Sequence, residues 1–387
     1  MSHSPSSHGL HARTDREASG AQRTQIGDTV RARLASSSGR ILLVKRDKIG
    51  DLLLATPVLA QLRAALPSAR IDVLANDYNA WVVTDHPAID RLWVYRRSRH
   101  AGRLRAGAVA GQVAQWFALA ASRYDVAIVL NGEESPRGIQ RALAVHARET
   151  VAYVKPESRL PGRLSVPLLS PTSGHELERM LALCASPLGL ATTTRPDYPH
   201  YTPPGESRDA ARAWLRGQGL EPRGYVVIGL GSRYPETQPS PPQISRWARL
   251  IKRHWHCETL LQYTPGGNEG VAYPGSEELA ATTLALDRAH VRLMPTTLPL
   301  VIALLYDART SILPDGGLMH FAAASPGGVL GLFAGDSTGS YAGRWGPRGP
   351  RADVVESPSR IAGLSDDVFL TKLAAVLSPS SGEKTAQ

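Results

Sequence analysis

The chain alternates short apolar segments, rich in β-branched residues, with longer amphipathic segments. The alternation begins at Ile41, is interrupted by proline-rich stretches at 155–174 and 195–208, and resumes at Tyr225. Strands and helices that alternate at this spacing form parallel sheets with helices on both faces, so the predicted fold class is α/β. The two series of segments predict two domains, with residues 195–208 as the linker between them.

Each half of the chain carries its own series of predicted elements. The predicted strands span residues 41–45, 71–75, 91–95, 125–130, 150–154, 225–231, 258–264, 291–294, 311–314 and 329–333. The predicted helices span residues 52–66, 175–188, 208–217, 244–255, 298–306, 318–324 and 366–377. The N-terminal domain is predicted at 40–200 and the C-terminal domain at 201–377. Residues 1–39 and 378–387 lack an apolar period, which is typical of disordered tails.

Composition narrows the classes of partner. The chain has 44 basic and 34 acidic side chains and a net charge of +10, which favours nucleic acid, anionic lipid or phosphorylated substrates. Its two cysteines, Cys184 and Cys257, exclude a disulfide framework and cannot by themselves complete a zinc site. No apolar run approaches the roughly 20 residues of a membrane span, and the N-terminus has no signal-like apolar segment. A soluble, cytoplasmic protein is expected.

Catalytic and ligand-binding residues are expected in the loops at the carboxyl ends of the strands, where ligands bind in open α/β sheets. The first such loop, in KRDKIGDLLL, places Asp51 at the start of a helix. The positive end of a helix stabilises an ionised carboxylate there. One interpretation is that Asp51 only caps the helix. The other is that it serves as a general base at the mouth of a cleft.

A second loop, PDGGLMH, again follows a predicted strand and opens a helix. The adjacent Gly316 and Gly317 let the backbone approach a ligand closely, and the free N–H groups of a helix start suit a diphosphate. Asp315 and His320 flank these glycines. The alternative is an ordinary turn followed by a histidine on a helix surface.

Two further loops in the second half follow predicted strands. The loop 229–233 (GLGSR) contains Ser232 and Arg233, and the loop 266–269 ends at Glu269. A carboxylate in the position of Glu269 can accept hydrogen bonds from ribose hydroxyls. A solvated turn glutamate is the alternative.

Five arginines crowd into the segment RRSRHAGRLR, at Arg96, Arg97, Arg99, Arg103 and Arg105. A solvated basic loop is one interpretation. A binding site for a phosphorylated or carboxylated acceptor is another, because arginine pairs bidentately with both groups. No aromatic residue interleaves the arginines, so nucleic acid is not the expected partner.

Four stretches taken together resemble glycosyltransferase family 9, the ADP-heptose:lipopolysaccharide heptosyltransferases. They are ILLVKRDKIGDLLLATPVLAQLRAALP, HELERMLALCASPLGL, SILPDGGLMHFAAA and GLFAGDSTGSYAGRWGP, in this order. The resemblance implies a GT-B architecture, in which two Rossmann-like domains face each other across a cleft. It also implies inverting, metal-independent transfer from a nucleotide sugar, expected to be ADP-heptose, with no cofactor.

The resemblance also implies roles for individual residues. It makes Asp51 the general base and the arginines of 96–105 the acceptor-binding residues. It assigns donor binding to Asp315, Gly316, Gly317, His320 and Glu269. The family usually has a Lys-x-Trp element that contacts phosphate. Here Trp247 is present without the lysine, so Arg233, with Ser232 beside it, is predicted to bind the donor instead.

The acceptor implied by the resemblance is a lipopolysaccharide core or a similar anionic glycan, which the enzyme would reach by peripheral contact with the inner membrane. Two alternatives stay open. One is a transferase of the same fold with another nucleotide sugar or a protein acceptor. The other is a non-catalytic protein that binds glycans or anions.

Overall fold

The computed structural model describes residues 24–96, 99–100, 103–104, 106–191, 197–266, 275–335 and 340–378. Within them the chain forms two six-stranded parallel sheets and a two-stranded hairpin. Each sheet draws all its strands from one half of the chain. The predicted α/β class is confirmed.

The strands of the N-terminal half are β1 (Arg40–Val44), β2 (Arg70–Asn76), β3 (Arg91–Tyr95), β4 (Arg99–His100), β5 (Arg103–Leu104), β6 (Val126–Val129), β7 (Glu149–Val154) and β8 (Val166–Leu169). The sheet order is β3-β2-β1-β6-β7-β8, while β4 and β5 pair as an antiparallel hairpin. Leu43 pairs with Val73 on one side and Ile128 on the other, so β1 lies at the centre. Residues 41–44 are all buried because helices cover both faces of the sheet.

The strands of the C-terminal half are β9 (Tyr225–Gly229), β10 (Glu258–Gln262), β11 (Val291–Leu293), β12 (Thr310–Pro314), β13 (Val329–Ala334) and β14 (Ala352–Ser357). They are ordered β11-β10-β9-β12-β13-β14, with Ile228 of β9 between Leu261 of β10 and Ile312 of β12. Apart from the hairpin, this order matches that of the first sheet. Both sheets have the 3-2-1-4-5-6 order of Rossmann folds.

The helices are α1 (Asp28–Leu34), α2 (Ile49–Leu53), α3 (Thr56–Ala65), α4 (Ala106–Ala121), α5 (Pro136–Ala144), α6 (Glu176–Leu188), α7 (Gly205–Gly217), α8 (Pro241–Trp255), α9 (Ser276–Leu286), α10 (Leu298–Asp307), α11 (Gly317–Ala323), α12 (Ser340–Trp345) and α13 (Asp366–Leu377). The ends of α6 are encoded locally. His175 and Glu178 form a capping box at its start, and Gly189 adopts the left-handed conformation at its end.

The structure differs from the sequence predictions in several elements. It contains strand β14 and helices α4, α5, α9 and α12, which the sequence patterns did not indicate. Helix α1 lies inside the segment 1–39 predicted to be a disordered tail, and its Val30 and Leu34 are buried in the N-terminal core. The predicted helix 52–66 is two helices, α2 and α3, because Pro57 begins a new first turn. The proline-rich stretch 155–174 contains β8, an edge strand that tolerates Pro167.

The remaining tail and boundary predictions are not settled by the fold. Residues 1–23 and 379–387 lie outside the described residues. The boundary near residue 200 stays a prediction, although every strand of the first sheet precedes it and every strand of the second follows it.

The two domains and the connector between them meet in an aromatic contact. Trp81 of the N-terminal domain stacks on Phe321 of α11, with ring centroids 5.6 Å apart. Tyr201 of the connector meets the Phe321 ring edge-on at 4.9 Å. Such pairs add packing energy beyond the area they bury. They hold α11 against the N-terminal domain, beside the loop that follows β1.

Candidate active site

Asp51 lies in the first turn of α2, directly after the central strand β1. Its Oδ2 accepts a hydrogen bond of 3.0 Å from the backbone N–H of Lys48. The carboxylate therefore does cap the helix, as one interpretation predicted. The residue is only half-buried, so capping does not remove it from contact with a ligand.

A buried ion pair lies beside Asp51. Lys45 is 1% exposed, and its Nζ lies 3.1 Å from Oδ2 of Asp47, which also accepts a hydrogen bond from Nδ2 of Asn131. Burial alone would lower the pKa of Lys45, but the neighbouring carboxylates outweigh it and raise that pKa. Burial would raise the pKa of Asp47, but Lys45 and Asn131 outweigh it and lower that pKa. Both groups are therefore ionised at neutral pH.

The environment of Asp51 raises the pKa of its carboxyl group. Burial is the largest cause, and the negative charges of Asp47 and Glu176 add to it. The Lys45 ammonium and the Lys48 N–H act in the opposite direction without cancelling the effect. A carboxylate with a raised pKa is a stronger base than a free aspartate, which suits it to accept a proton.

The glycine turn of the C-terminal domain leads into α11. Its His320 is 4% exposed, and burial, followed by the charge of His175, lowers the pKa of His320 to about 3. The ring is therefore neutral at pH 7. Within the part of the chain that the structure describes, its Nδ1 has no hydrogen-bond partner. Buried polar atoms are nearly always paired, so an unpaired nitrogen beside the glycine turn is an exception within the described structure.

The two loops touch each other across the domain boundary. A Cβ atom placed on Gly50 would lie 2.8 Å from Cδ2 of His320 and 2.9 Å from Cα of Gly317. A Cβ atom placed on Gly317 would lie 3.0 Å from Cγ1 of Ile49. Only glycine permits backbones to approach so closely. The loop of Asp51 and the glycine turn therefore face each other at one site, as the sequence predicted.

Charged groups from both domains meet at this contact. Burial and the charge of Asp51 raise the pKa of Asp315 to about 6. Arg233 and Lys48 act on Asp315 in the opposite direction, so both cations lie near it. Burial, and then the charge of Arg233, lowers the pKa of Lys48. Two carboxylates and two cations thus surround the junction.

A small depression lies beside the junction, at the carboxyl ends of β9, β10 and β12. It is lined by Gly231, Gln262, Thr264, Leu313, Pro314, Gly316, Gly317 and Leu318. Strands β9 and β12 are neighbours at the point where the strand order reverses, and ligands bind at such points in open α/β sheets. The predicted donor element therefore borders the position where a nucleotide would be expected.

The loop after β9 contains two predicted donor-binding residues, Ser232 and Arg233, of which one is buried and the other exposed. Ser232 is fully buried, and its Oγ accepts from the Tyr234 N–H at 3.0 Å and lies 2.7 Å from Oγ1 of Thr237. Its hydroxyl therefore holds the loop together, and direct contact with a donor stays a prediction. Arg233 is exposed at the loop surface. Trp247 is not at the site, because it is buried in the core against Phe369.

Several predicted residues cannot be placed. Glu269, Arg97 and Arg105 lie outside the described residues. Arg99 and Arg103 lie in the β4–β5 hairpin, where Arg99 is opposite Leu104 and Arg103 is opposite His100. Arg96 is exposed directly after β3. The predicted acceptor role of these arginines stays a prediction.

The structure adds site residues that the sequence analysis did not single out. Glu176 accepts a hydrogen bond of 2.7 Å from the Gly132 N–H. It also forms an ion pair of 3.0 Å with Arg344 of the C-terminal domain. Arg344 also pairs with Glu133 at 3.0 Å. Nothing in the sequence indicated these contacts, since the partners are more than 40 residues apart. Lys48 lay within the quoted loop motif, but no pattern distinguished it from a surface lysine.

The described residues contain neither a metal-binding cluster nor a membrane-spanning helix. Across ranges 24–96, 106–191, 197–266, 275–335 and 340–378, no three His, Cys, Asp or Glu side chains are placed to hold a metal ion. Among the helices described, none has the length and apolar character needed to cross a bilayer.

Known proteins resemble this chain in both sequence and fold. Residues 113–362 match glycosyltransferase family 9 (heptosyltransferase). Lipopolysaccharide heptosyltransferase 3 of Escherichia coli is 24% identical over 199 residues, which is 50% of this chain and 53% of that protein. The chain thus spans about half the length of this curated relative.

Solved structures match over a larger share of the chain. A family 9 glycosyl transferase from Veillonella parvula has a TM-score of 0.70 and 18% identity, covering 88% of this chain and 97% of the other. E. coli heptosyltransferase WaaC, solved with ADP, has a TM-score of 0.64 and 20% identity, covering 87% and 99%. These likenesses confirm the predicted GT-B fold. Together with the match over residues 113–362, they show that the chain belongs to glycosyltransferase family 9.

Proposed function

We propose that this protein transfers heptose from ADP-heptose to the core of lipopolysaccharide or a related anionic glycan, with inversion at the anomeric carbon. The observation that carries the proposal is the contact between the Asp51 loop and the glycine turn at 316–317. A base from one domain and a ligand-binding turn from the other thus border one site. Such an arrangement suits a reaction between two bound substrates.

Asp51 acts as the general base in this proposal. An acceptor hydroxyl attacks the anomeric carbon from the face opposite the nucleotide diphosphate, and its proton passes to the Asp51 carboxylate. The new glycosidic bond forms as the bond to the diphosphate breaks, and the diphosphate leaves with the electron pair. The raised pKa of Asp51 supports this role because it brings the carboxylate closer to the basicity that proton transfer requires.

Positive charge stabilises the leaving diphosphate. Arg233 and Lys48 both act on Asp315, so both lie close to the turn that would bind the donor. The lowered pKa of Lys48 reflects its burial and the nearby Arg233, and an anionic ligand would relieve that repulsion. Arg233 supplies the charge that the family usually draws from its Lys-x-Trp element.

The relatives support the choice of substrates. The E. coli relative is a lipopolysaccharide heptosyltransferase, and the WaaC structure was solved with ADP. The arginines of residues 96–105 suit an acceptor that carries phosphate or carboxylate groups. Such an acceptor would be met at the cytoplasmic face of the inner membrane.

A thermal-shift panel with ADP, UDP, GDP and CDP tests the donor. Selective stabilisation by ADP is expected, because a ligand that binds only the folded state raises the unfolding temperature. Transfer from ADP-heptose to a lipopolysaccharide core acceptor is then followed by mass spectrometry. Stabilisation by another nucleotide would point to a different donor sugar. The absence of both a shift and donor hydrolysis would favour a non-catalytic binding protein.

A further inference from the structure

Two tyrosines of the C-terminal domain meet beside the candidate active site. The hydroxyl of Tyr234, in the loop after β9, lies 2.9 Å from the hydroxyl of Tyr341, which belongs to helix α12 after β13. Their rings meet edge-on, with the centroids 6.0 Å apart. Edge-to-face pairs of aromatic rings attract each other beyond the area that they bury. The two side chains therefore form a defined unit, which we call the tyrosine bridge.

The tyrosine bridge joins the chain segments on the two sides of the glycine turn. Strand β12, which leads into that turn, lies between β9 and β13 in the sheet. Because the three strands are parallel, the segments that follow them leave the same edge of the sheet. The turn Pro235–Thr237, after β9, accordingly contacts β13. The bridge thus links the two structural neighbours of the glycine turn.

The tyrosine bridge also lies next to the charged groups of the candidate site. The guanidinium carbon of Arg233 lies 6.0 Å from the centroid of the Tyr234 ring, at the limit of a cation–π contact. The hydrogen bond with Tyr234 is the largest cause that raises the pKa of Tyr341 to about 12. Asp315 and Arg233 also act on that pKa, so both lie near Tyr341. Tyr341 is therefore close to residues predicted to bind the donor.

The ring of Tyr341 is both exposed and restrained. The residue is 51% exposed, although its hydroxyl is bonded to that of Tyr234. The bond and the edge-on ring contact restrict the side chain, so it loses little conformational freedom when a ligand packs against it. Ligand sites are lined mainly by apolar and aromatic side chains. An exposed, restrained ring beside such a site is suited to contact a ligand.

The position of Tyr341 indicates which part of a nucleotide sugar it would meet. The depression lined by Gly231, Gln262 and Thr264 lies on the side of the glycine turn towards β9 and β10, where a nucleoside would fit. Tyr341 follows β13, on the opposite side of the turn. In a nucleotide sugar, the diphosphate separates the nucleoside from the sugar. A diphosphate at the glycine turn would therefore direct the sugar towards Tyr341.

We propose that the Tyr341 ring packs against the sugar of the nucleotide-sugar donor and contributes to its selection. The face of an aromatic ring is negative, and the C–H groups of a sugar ring carry partial positive charge, so the two surfaces attract each other. Tyr234 is a positioning residue, because it holds the Tyr341 ring through the tyrosine bridge. This inference rests on the proposed function and adds a donor-binding residue that the sequence analysis did not identify.

Isothermal titration calorimetry of the full chain with ADP and with ADP-heptose, without acceptor, tests the proposal. Tyr341→Ala is expected to raise the Kd for ADP-heptose about tenfold and to leave the Kd for ADP unchanged, because only the sugar loses a contact. Tyr341→Phe keeps the ring and is expected to retain most of the affinity for ADP-heptose. Tyr198→Ala is the matched control, since Tyr198 is 38% exposed but lies in the connector between the domains.

Three results would overturn the proposal: an unchanged Kd for ADP-heptose in Tyr341→Ala, an equal rise for ADP and ADP-heptose, or an equal loss of affinity in Tyr198→Ala. A rise in the KM for the acceptor alone would also overturn it, because the ring would then contact the acceptor. Circular dichroism and thermal unfolding confirm that each variant is folded.

Sugar transfer is measured separately from donor binding, so the two proposals can fail independently. Wild-type protein that binds ADP-heptose without transferring heptose would contradict the proposed function. An unchanged ratio of the two Kd values in Tyr341→Ala would contradict only the role of Tyr341. Wild-type protein that does not bind ADP-heptose would contradict both.

Discussion

The loop after β1 and the loop after β12 end strands of two sheets with the same strand order, yet they differ in chemistry. The first loop carries Lys45, Asp47, Lys48 and Asp51, and its groups are tied together by an ion pair and hydrogen bonds. The second loop has two glycines, and its neutral His320 has an unpaired nitrogen within the described structure. In the loop after β1, the charged side chains pair with each other or with backbone groups of the protein. The other loop exposes backbone and leaves a polar atom unsatisfied.

This difference matches what the proposed reaction requires of two similar domains, namely a base in one and a donor-binding turn in the other. Proton transfer requires a carboxylate whose pKa is set by fixed neighbours, and the first loop supplies those neighbours. In the proposed reaction the diphosphate approaches the backbone closely at Gly316, while the absence of a side chain at Gly317 makes room for Ile49. In the proposed reaction the same topology therefore serves two purposes, because the catalytic base and the donor-binding turn lie on different loops of the two sheets.

The largest effect is expected from Asp51→Asn, which removes the base and leaves the glycine turn intact. Turnover is expected to fall by about 10²–10⁴, because a general base contributes that much. Stabilisation by ADP in a thermal-shift assay is expected to persist. Asp367→Asn, on the exposed face of α13, serves as the control. Near-normal turnover by Asp51→Asn would assign the base to another group.

Gly50→Ala tests the contact between the two loops. The new methyl group would lie 2.8 Å from Cδ2 of His320 and 2.9 Å from Cα of Gly317, so the loops must separate. Turnover is expected to fall about 10²-fold, since a displacement near 1 Å is enough for such a loss. Gly217→Ala in α7 is the control, because its Cβ would meet nothing within 4 Å. Equal kcat for the two variants would mean that the contact does not matter for turnover.

Asp47→Asn tests whether the neighbours of Asp51 set its pKa. The negative charge of Asp47 raises the pKa of Asp51, so removing it lowers that pKa. The ionised Asp51 is the active form, and activity is lost as the pH falls through its pKa. The acidic limb of the kcat/KM profile is therefore expected to move to lower pH. Asp28→Asn, at an exposed position of α1, is the control.

The pH profile of kcat/KM for Asp47→Asn also distinguishes a change in the pKa of Asp51 from a loss of folded structure. Loss of the partner of the buried Lys45 is expected to lower the unfolding temperature as well. A structural defect alone would scale the whole profile down without moving its acidic limb. An unmoved limb would therefore contradict the electrostatic role of Asp47.

The smallest effects are expected at the ion pairs that join the domains. Arg344→Gln leaves the buried carboxylate of Glu176 without its cation and is expected to cost about 1–3 kcal/mol of unfolding free energy. Glu133→Gln removes a half-exposed partner of the same arginine and is expected to cost less than about 1 kcal/mol. Urea unfolding measures both variants. A larger loss for Glu133→Gln would contradict this ranking.

Much of the fold was predictable because local patterns encode it. Alternating apolar runs identified five of the six strands of each sheet, whereas β8 and β14 were not predicted. Helix α1 was missed although Ile26, Val30 and Leu34 have helical spacing, because its polar surroundings resemble those of a disordered tail. What orders it is burial against the N-terminal core and the pair that Arg33 forms with Asp125 at 2.6 Å. These are long-range contacts, which no local pattern reveals.

The sequence by itself determined the fold class, the two-domain plan and the loops that would carry the chemistry, since periodicity and glycine placement are local properties. The tertiary structure decided which groups act together: that Lys45 lies buried beside Asp47, that Glu176 accepts a bond from Gly132 and pairs with Arg344, and that Gly50 meets Gly317. Charge and burial at a site depend on residues far apart in the chain. For that reason the raised pKa of Asp51 could be derived only from the folded molecule.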